Sequence, residues 1–272
     1  MLNDHEIERY SRHIILQNIG VEGQMKIKKS KMFVVGMGGL GSPAALYLAA
    51  AGVGKLGIAD MDEVDISNLG RQIIHFTDDV GTLKVDSAEE KIKAINPNVD
   101  VKKYSLRLKA DNILDCLKDY EFVIDGTDNF SSKFLINDAC VKLGKPYSHG
   151  GILRFTGQTM TVVPGESACY RCVFKSPPPP DAVPTCASAG VLGSVAGMLG
   201  TIQATEALKF VTDTGKLLTN KLLYFNSEEM DFRKINVKRD EKCAVCGKSA
   251  GLIQLIDEEN AVCEYKPGYK RC

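Results

Sequence analysis

A glycine-rich segment near the start of the chain has residue types and spacing that suit phosphate binding. It follows the apolar run Lys31–Val35, a predicted β-strand, and reads G-x-G-x-x-G, with glycines at Gly36, Gly38, Gly39 and Gly41. Glycines let the backbone approach a phosphate closely, and the N-terminus of the following helix favours negative charge. The segment therefore predicts a nucleotide site, although the same glycines could form a tight turn without a ligand.

Charged side chains after this loop suit a nucleotide that carries a polyphosphate. Asp60 ends the next predicted strand, where a carboxylate can accept hydrogen bonds from ribose hydroxyls. Arg71 and Lys84 are cations that could stabilise charge as a phosphate bond breaks. Asp128 follows a later strand, and a carboxylate there can hold Mg²⁺. Each residue alone is typical of a solvated surface charge, but strand carboxyl ends gather at one crevice, so together they predict a site.

Two C-x-x-C pairs provide enough thiolates for a metal site. Cys169 and Cys172 form the first pair, and Cys243 and Cys246 form the second. Four thiolates complete a closed tetrahedral zinc site. The pairs lie much farther apart than the roughly 15–20 residues of a compact zinc ribbon, so the metal would join distant segments. Redox dithiols and unrelated free thiols are the alternatives.

The remaining cysteines differ in their surroundings. Cys186 stands between the proline run 177–180 and a glycine-rich segment, with no cysteine close by. A loop thiol can act as a nucleophile or sulfur carrier, or it can be inert, and position alone does not decide. Cys116 and Cys140 fall within predicted helices and are expected to be buried. The two cysteines of the tail and the four histidines have no ligand-like spacing and are assigned no chemistry.

The elements that must position these residues alternate between strand and helix in the first half of the chain. This order predicts a mostly parallel, doubly wound α/β sheet with helices on both faces. Two helices precede it, and antiparallel strands extend it in the second half. The predicted strands are Lys31–Val35, Lys55–Asp60, Val99–Leu106, Glu121–Asp125, Gly157–Val163, Lys221–Asn226 and Asp231–Val237. The predicted helices are Glu6–Leu16, Glu22–Lys29, Pro43–Ala51, Thr82–Ile95, Asp111–Leu117 and one that ends at Leu143.

Composition narrows the classes of protein. The chain has 272 residues, with 34 Lys and Arg against 34 Asp and Glu, which argues against a broad nucleic-acid surface. The segment Ala182–Thr205 carries no charged residue, but its glycines, serines and threonines favour a helix buried in a core over a membrane span. The acidic N-terminus is not a signal peptide, so we expect a cytoplasmic protein with reduced cysteines.

The motifs together resemble the MoeB/ThiF/HesA family, bacterial relatives of ubiquitin-activating enzymes. The resemblance covers about residues 4–247. Gly70 departs from the family, which more often has a larger polar residue at that turn. The motifs that carry the resemblance are Arg9–His13, Gly36–Gly41, Asp60-x-Asp62, Asn68-Leu69-x-Arg71-Gln72, Gly81-x-x-Lys84, Asp125–Asn129, Pro184-x-Cys186 and the two C-x-x-C pairs.

The resemblance implies an activity and an organisation. The implied reaction is adenylation, with Mg-ATP, of the C-terminal Gly-Gly carboxylate of a ubiquitin-like sulfur-carrier protein, ahead of thiocarboxylate formation for molybdopterin, thiamin or a related product. The implied fold is a Rossmann-like sheet in a single adenylation domain, 1–272, with an ATP-binding half (1–150), a carrier-binding and zinc half (151–250) and a tail (251–272). A homodimer and a separate sulfur-donor protein are implied, without nucleic acid or membrane. The particular carrier is left open.

The resemblance also assigns roles to residues. Arg12 would reach the ATP site of the other subunit, and Cys186 would be the conjugating or sulfur-bearing cysteine. Asp128 would hold magnesium, and Arg71 and Lys84 the phosphates. The nucleotide-binding residues would be Gly36, Gly38, Gly39, Gly41, Asp60, Asp62, Asn68, Arg71, Gln72, Lys84 and Asp128. The zinc ligands would be Cys169, Cys172, Cys243 and Cys246.

Three alternatives use fewer of these features. An NAD-dependent oxidoreductase would use the glycine loop and Asp60 but leaves Arg71, Lys84, Asp128 and the cysteine pairs unexplained. A tRNA-modifying dehydratase of the same superfamily is disfavoured by the zero net charge and the cysteine pairs. A non-catalytic binding module is disfavoured by the intact set of two cations and one acid.

Overall fold

One eight-stranded sheet runs through the described chain. The computed structural model describes residues 1–179, 189–248, 250 and 253–257, so Cys186 and the cysteines of the tail lie outside it. The strands are β1 (Lys31–Val35), β2 (Lys55–Ala59), β3 (Asp100–Tyr104), β4 (Phe122–Asp125), β5 (Tyr147–Leu153), β6 (Thr156–Val162), β7 (Lys221–Asn226) and β8 (Asp231–Asn236). Their order is β3-β2-β1-β4-β5-β6-β7-β8.

The sheet has a parallel part and an antiparallel part, as predicted. Strands from β3 to β5 pair in parallel, and those from β5 to β8 pair antiparallel. The central strands β1 and β4 are continuous apolar runs because helices cover both faces of the sheet. The strand order reverses between β1 and β4, and ligands of such sheets bind outside the carboxyl ends of strands at this switch point.

Helices cover both faces of the sheet. They are α1 (Asp4–Arg9), α2 (Ser11–Ile14), α3 (Gly20–Lys29), α4 (Gly41–Ala51), α5 (Lys84–Ile95), α6 (Ile113–Leu117), α7 (Phe130–Leu143), α8 (Tyr170–Val173) and α9 (Gly193–Thr212). Short 3₁₀ turns occupy Ile66–Asn68 and Thr77–Asp79. One apolar core lies between the sheet and α3, α4, α5 and α9, and a second lies under α6 and α7.

The first predicted helix, Glu6–Leu16, is divided into α1 and α2 at Tyr10. The Tyr10 ring is buried against Gly52, where an added Cβ would lie 2.4 Å from the ring. Its hydroxyl accepts a hydrogen bond of 2.8 Å from Asn96 Nδ2. Burial of this ring fixes the path of the chain, so three helices precede β1 instead of the predicted two.

Strand β5 was not predicted because its residues have weak strand preference. Gly150 and Gly151 lie in its middle, and glycine weakens a strand interior. The structure shows why Gly150 is small, since a Cβ there would lie 2.7 Å from Gln203 Oε1 on α9. Tertiary packing, and not local propensity, therefore makes this segment a strand.

Helix α9 contains the C-terminal part of the uncharged segment that was predicted to be a buried helix. A Cβ on Gly200 would lie 2.3 Å from the Leu40 carbonyl oxygen, so small residues let α9 approach the segment before α4 closely. Within the described residues, no helix combines the length and apolar character that a membrane span requires.

Candidate functional site

The glycine loop after β1 packs against the loop after β4 at the switch point. Gly36 has φ +86°, a conformation that favours glycine, and a Cβ there would lie 3.0 Å from the Gly126 carbonyl oxygen. A Cβ on Gly41 would lie 1.7 Å from the Gly36 carbonyl oxygen. These two positions therefore need glycine for the turn itself.

The middle of the glycine loop has more open space. A Cβ on Gly38 would have one neighbour within 4 Å, the Gln72 Nε2 atom at 3.8 Å. A Cβ on Gly39 would lie 3.1 Å from Ala196 on α9 and 3.7 Å from Arg71 Cγ. The loop and the N-terminus of α4 thus form a cradle of backbone in which a phosphate would fit.

Asp60 is fixed beside the glycine loop at the end of β2. Its Oδ2 accepts the Met37 N–H at 2.8 Å, and its Oδ1 accepts the Asp62 N–H at 2.9 Å. A carboxylate has about four acceptor positions, so each oxygen retains capacity for another donor, such as a ribose hydroxyl.

Asp62 holds the predicted phosphate cation Lys84. Lys84 Nζ lies 3.0 Å from Asp62 Oδ2, and the backbone N–H of Lys84 donates to the Asp62 carbonyl at 2.9 Å. The Lys84 side chain is 7% exposed and that of Asp62 is 57% exposed. Lys84 is also the first residue of α5, so helix and ion pair together fix where its charge lies.

The segment Asn68–Gln72 turns towards the glycine loop. The Asn68 carbonyl accepts the N–H groups of Arg71 at 3.0 Å and Gln72 at 2.9 Å. The start of α9 packs on this turn, since a Cβ on Gly193 would lie 2.2 Å from the Gly70 carbonyl oxygen. Gly70 itself has nothing within 4 Å of an added Cβ, so a larger residue would fit there.

Arg71 and Gln72 lie next to the glycine loop, and both have polar groups that a ligand could bind. Arg71 donates from Nη1 to the Ser67 carbonyl at 3.0 Å and forms no ion pair with the described residues. Gln72 is buried, and its Oε1 has no hydrogen-bond partner in the described chain. A buried acceptor without a donor is costly, so the Gln72 amide favours a ligand or water that can donate to it.

The acid that ends β4, Asp125, and the acid that follows it, Asp128, differ in their environment. Asp125 is buried and accepts from Thr127, Lys133 and His149, with distances of 2.6 Å to Thr127 Oγ1, 3.2 Å to Lys133 Nζ and 3.0 Å to His149 Nδ1. Asp128 is exposed. Groups of the protein therefore already bind the Asp125 carboxylate, whereas the exposed Asp128 is accessible to a ligand.

The charges around Asp125 control its titration. Burial raises the pKa of a carboxyl group, but the nearby Lys133 ammonium and the His149 hydrogen bond outweigh it and lower the pKa of Asp125 to about 2. Burial lowers the pKa of His149, against its hydrogen bond to Asp125. Asp125 is thus ionised at neutral pH. Lys133 also donates to the Thr127 carbonyl at 2.7 Å, so this cluster holds the loop that carries Asp128.

Sequence reasoning missed Lys133 and His149. His149 has no ligand-like spacing, and its segment was not predicted to be a strand. The pairing of Ile124 with Ser148 brings Asp125 next to His149. A correct prediction of β5 would therefore have placed His149 beside Asp125. A lysine near the start of a helix that follows a strand-end acid is too common to single out.

Arg12 is exposed on α2, and its neighbours in the motif Arg9–His13 hold α1 and α2 to the rest of the chain. Arg9 donates to the Ile95 carbonyl at 2.7 Å, and His13 Nδ1 lies 3.0 Å from Gln24 Oε1. No hydrogen bond or ion pair joins Arg12 to the other predicted site residues within the described chain. The fold anchors the motif and leaves the Arg12 side chain exposed.

The four cysteines of the two C-x-x-C pairs come together as predicted. The Sγ–Sγ distances are 3.9 Å for Cys169–Cys172, 3.7 Å for Cys169–Cys243 and 3.4 Å for Cys172–Cys246, and all four sulfurs lie within 4.8 Å of one another. A tetrahedron with Zn–S bonds of about 2.3 Å has S–S edges of about 3.8 Å. The cluster therefore fits one tetrahedral metal ion.

The other two described cysteines are buried, as predicted. Burial raises the pKa of the Cys116 and Cys140 thiols, which disfavours thiolate chemistry at both. Cys186 lies outside the described residues.

A glycine-rich cradle at the switch point of a doubly wound sheet, with Arg71 beside it, defines a nucleotide-binding α/β protein. The same chain carries a four-cysteine cluster. The sequence profile of the ThiF family matches residues 10–245, and the chain belongs to this family.

Three proteins illustrate the relationship. The "Sulfur carrier protein adenylyltransferase" of Thermus thermophilus is 45% identical over 259 residues, which cover 93% of this chain and 96% of that protein. The "Adenylyltransferase and sulfurtransferase MOCS3" of Aedes aegypti is 43% identical over 259 residues, and the match covers 95% of this chain but 59% of that longer protein. A crystal structure of Escherichia coli MccB with MccA-N7isoASN has a TM-score of 0.79 over 90% of this chain and 76% of MccB, and at 24% identity it supports the fold.

Proposed function

We propose that this chain adenylates the C-terminal carboxylate of a ubiquitin-like sulfur-carrier protein that ends in Gly-Gly. The carboxylate oxygen attacks the α-phosphorus of ATP, the bond from that phosphorus to the bridging oxygen of the β-phosphate breaks, and pyrophosphate leaves. The observation that carries the proposal is the glycine cradle at the switch point, with Arg71 beside it. Lys84 is held by Asp62, and Asp128 is exposed after β4. The 45% identity to the Thermus thermophilus protein supports it.

The electrostatic needs of this reaction fit the residues present. An anionic nucleophile approaches an anionic phosphate, so the transition state needs positive charge more than a general base. Arg71 forms no ion pair within the described chain, and Lys84 is positioned by Asp62. We assign both to the phosphates, with Asn68 and Gln72 beside them. Because the carboxylate is already ionised, no histidine base is required.

The nucleotide itself has a fitting set of partners. Gly36, Gly38, Gly39 and Gly41 would offer backbone to the phosphates, and Asp60 would accept from the ribose. Asp128 would hold Mg²⁺, which supplies charge neutralisation at the phosphate oxygens when bound. Asp125 would not hold it, because Lys133, His149 and Thr127 already occupy its oxygens.

We assign the cysteine cluster to one structural zinc ion. The sulfur distances fit a closed tetrahedral site with no position left for a substrate. In this role the ion joins α8 to the segment after β8, two parts of the chain that no short loop connects. On this basis we describe 1–150 as the ATP-binding half and 151–250 as the carrier-binding and zinc half of one adenylation domain.

Sulfur transfer falls to groups outside the described residues. Four of the described cysteines form the cluster and two are buried in the core, so none offers a free accessible thiol. We therefore assign the sulfur-bearing role to Cys186, supplied by a donor protein. Cys186→Ser is expected to retain adenylation and to alter thiocarboxylate formation, measured by the mass of the carrier. Loss of adenylation itself would show that residue 186 matters for adenylation and not only for sulfur transfer.

We propose that Arg12 completes the ATP site of a second copy in a homodimer. Arg12 is exposed while its motif is anchored, and the apolar side chains Ile15, Leu16 and Val21 nearby are also exposed. Mixed dimers of Arg12→Ala and Asp128→Ala chains would contain one intact site. If subunits exchange freely, about a quarter of wild-type activity returns. Lys84→Ala mixed with Asp128→Ala is the matched control and should restore none; no recovery with Arg12→Ala would place Arg12 elsewhere.

The decisive experiment is isotope exchange between pyrophosphate and ATP. Exchange should require a carrier ending in Gly-Gly and should fall strongly in Lys84→Ala and Asp128→Ala. Full exchange by Asp128→Ala would contradict its magnesium role. Stabilisation by NAD and not by Mg-ATP in a thermal-shift assay would favour the oxidoreductase alternative, and adenylation of tRNA would favour the dehydratase. Mass spectrometry of molybdopterin and thiamin carriers after reaction would identify the pathway.

A further inference from the structure

We propose that His75 is a positioning residue that fixes the orientation of the Met37 peptide in the glycine loop. The inference rests on the proposed binding of ATP at that loop. His75 is buried and follows the Asn68–Gln72 segment, and no role was assigned to it from the sequence. Its ring and its backbone N–H contact three separate segments that carry candidate site residues.

The first contact is with the glycine loop itself. His75 Nε2 lies 2.9 Å from the Met37 carbonyl oxygen, and a carbonyl can only accept, so Nε2 carries the hydrogen. On its other side, the Met37 N–H donates to Asp60 Oδ2 at 2.8 Å. Both polar groups of Met37, the residue between Gly36 and Gly38, are therefore held by side chains.

The second contact is with the helix that begins at Lys84. His75 Nδ1 lies 2.8 Å from Ser87 Oγ, three residues after Lys84 on α5. Ser87 Oγ lies 2.9 Å from Asp79 Oδ2, and Asp79 forms a buried ion pair of 2.5 Å with Lys91, also on α5. The ring is thus supported by a chain of buried polar groups and does not move freely.

The third contact is with the segment that carries Arg71. The His75 backbone N–H donates to the Gln72 carbonyl at 3.1 Å. His75 therefore contacts the glycine loop, the Arg71–Gln72 turn and the helix that begins at Lys84. These three segments supply the phosphate contacts in the proposed site.

The protonation state of the ring agrees with this role. Burial lowers the pKa of His75, and the charge of Lys84 acts in the same direction, against the Met37 hydrogen bond and the acids Asp60 and Asp79. The neutral ring has its hydrogen on Nε2. The one hydroxyl hydrogen of Ser87 is donated to Asp79 Oδ2 and so is not also donated to Nδ1. Because the imidazolium also has hydrogen on Nε2, the bond to Met37 persists in both states.

Loss of this donor has a specific consequence. Met37 is fully buried, and without His75 its carbonyl would keep only the long 3.4 Å hydrogen bond from Ser42 Oγ within the described chain, so the peptide would be held less firmly in its present orientation. The same peptide unit carries the Gly38 N–H, so rotation would redirect that N–H relative to a bound phosphate. The effect should appear in ATP binding and not in carrier binding.

The test compares two side chains of similar size at position 75. His75→Gln keeps an N–H donor that can reach Met37, and His75→Met does not. We expect the KM for ATP to rise about tenfold in His75→Met and to recover largely in His75→Gln, with the KM for the carrier unchanged in both. Thr161→Val is the control for lost stability, because Thr161 donates to Glu206 at 2.6 Å in the core between the sheet and α9.

Several results would overturn the proposal. One is an unchanged KM for ATP in His75→Met. Another is an equal rise of this KM in His75→Gln and His75→Met, and a third is a rise in Thr161→Val as large as that in His75→Met. If His75→Met fails to fold, Ser87→Ala removes the support of the ring and should raise the KM for ATP by a few fold; no change would count against the proposal. A direct measurement of ATP binding to the wild-type protein distinguishes failure of the proposed ATP site from failure of the proposed role of His75. If the wild-type protein does not bind ATP, the nucleotide site itself is refuted.

Discussion

Replacement of Asp125 by asparagine tests the buried charge cluster that holds the Asp128 loop. The pKa of Asp125 is about 2 in the folded chain against an ordinary value of 3.8. At about 1.4 kcal/mol for each pKa unit, this lowering corresponds to about 2.5 kcal/mol of folding stability at neutral pH. The substitution also leaves the Lys133 ammonium, on a side chain 7% exposed, without its carboxylate. Removal of one partner of a buried pair costs about 3–5 kcal/mol, so we expect a loss of about 3 kcal/mol.

The pH dependence gives the sharper test because its sign is fixed. The folded pKa is below the unfolded one, so the stabilisation is complete above about pH 4 and is lost as the pH falls from 3.8 towards 2. Urea unfolding of the wild type and of Asp125→Asn should therefore differ at pH 7 and converge near pH 2. Asp115→Asn is the control. The Asp115 side chain is 81% exposed and pairs with Lys118, so this ion pair should contribute less than about 0.5 kcal/mol to folding stability.

Two outcomes would refute this reasoning. The first is a difference below about 0.5 kcal/mol between the wild type and Asp125→Asn at pH 7. The second is a difference that stays constant from pH 7 to pH 2, which would show that shape and not charge is lost. A double-mutant cycle with Lys133→Met should give a coupling of more than about 1 kcal/mol at pH 7. Asp125→Asn should also need more magnesium for half-maximal exchange, because Asp125 holds the loop of Asp128.

Two further predictions concern the metal and the glycines. Metal analysis should give about one zinc per chain, and Cys243→Ala should lose it and unfold at a lower temperature, whereas Cys116→Ala keeps it; equal zinc content in both would contradict the cluster. Gly41→Ala should abolish ATP binding, because its Cβ would lie 1.7 Å from the Gly36 carbonyl oxygen, as calorimetry would show. Gly70→Ala, with open space around the new methyl group, should bind ATP normally and gain up to about 1 kcal/mol of stability; impaired binding would mean that Gly70 is needed for the turn.

Local patterns were sufficient to predict much of the sheet. Strands β1 and β7 have the predicted limits, and β2 and β4 differ from prediction by one residue. Parallel strands that are buried on both faces are continuous apolar runs, which a sequence displays directly. Strand β5 was missed because Gly150 and Gly151 suit the approach of α9, which is invisible before the helix is placed.

The candidate site was predictable only in part. The spacing of the glycine loop indicated a cradle, and the pairing of cysteines indicated a metal cluster that the Sγ positions fit. The sequence named Asp128 as the magnesium ligand but gave no physical reason to prefer it to Asp125, which ends the strand that Asp128 follows. Burial and the partners Lys133 and His149 separate them, and those partners come from α7 and β5.

The sequence by itself determined most of the elements, the glycine turn and the set of ligand types, because short-range sterics and hydrophobic pattern fix these within a few residues. Only the tertiary structure decided which charged groups are paired with other groups of the protein and which remain accessible to a ligand. His75 lies 38 residues from Met37 and Asp125 lies 24 residues from His149, yet each pair is in hydrogen-bond contact. Such contacts depend on strand order and on helix packing, and no local pattern of residues encodes them.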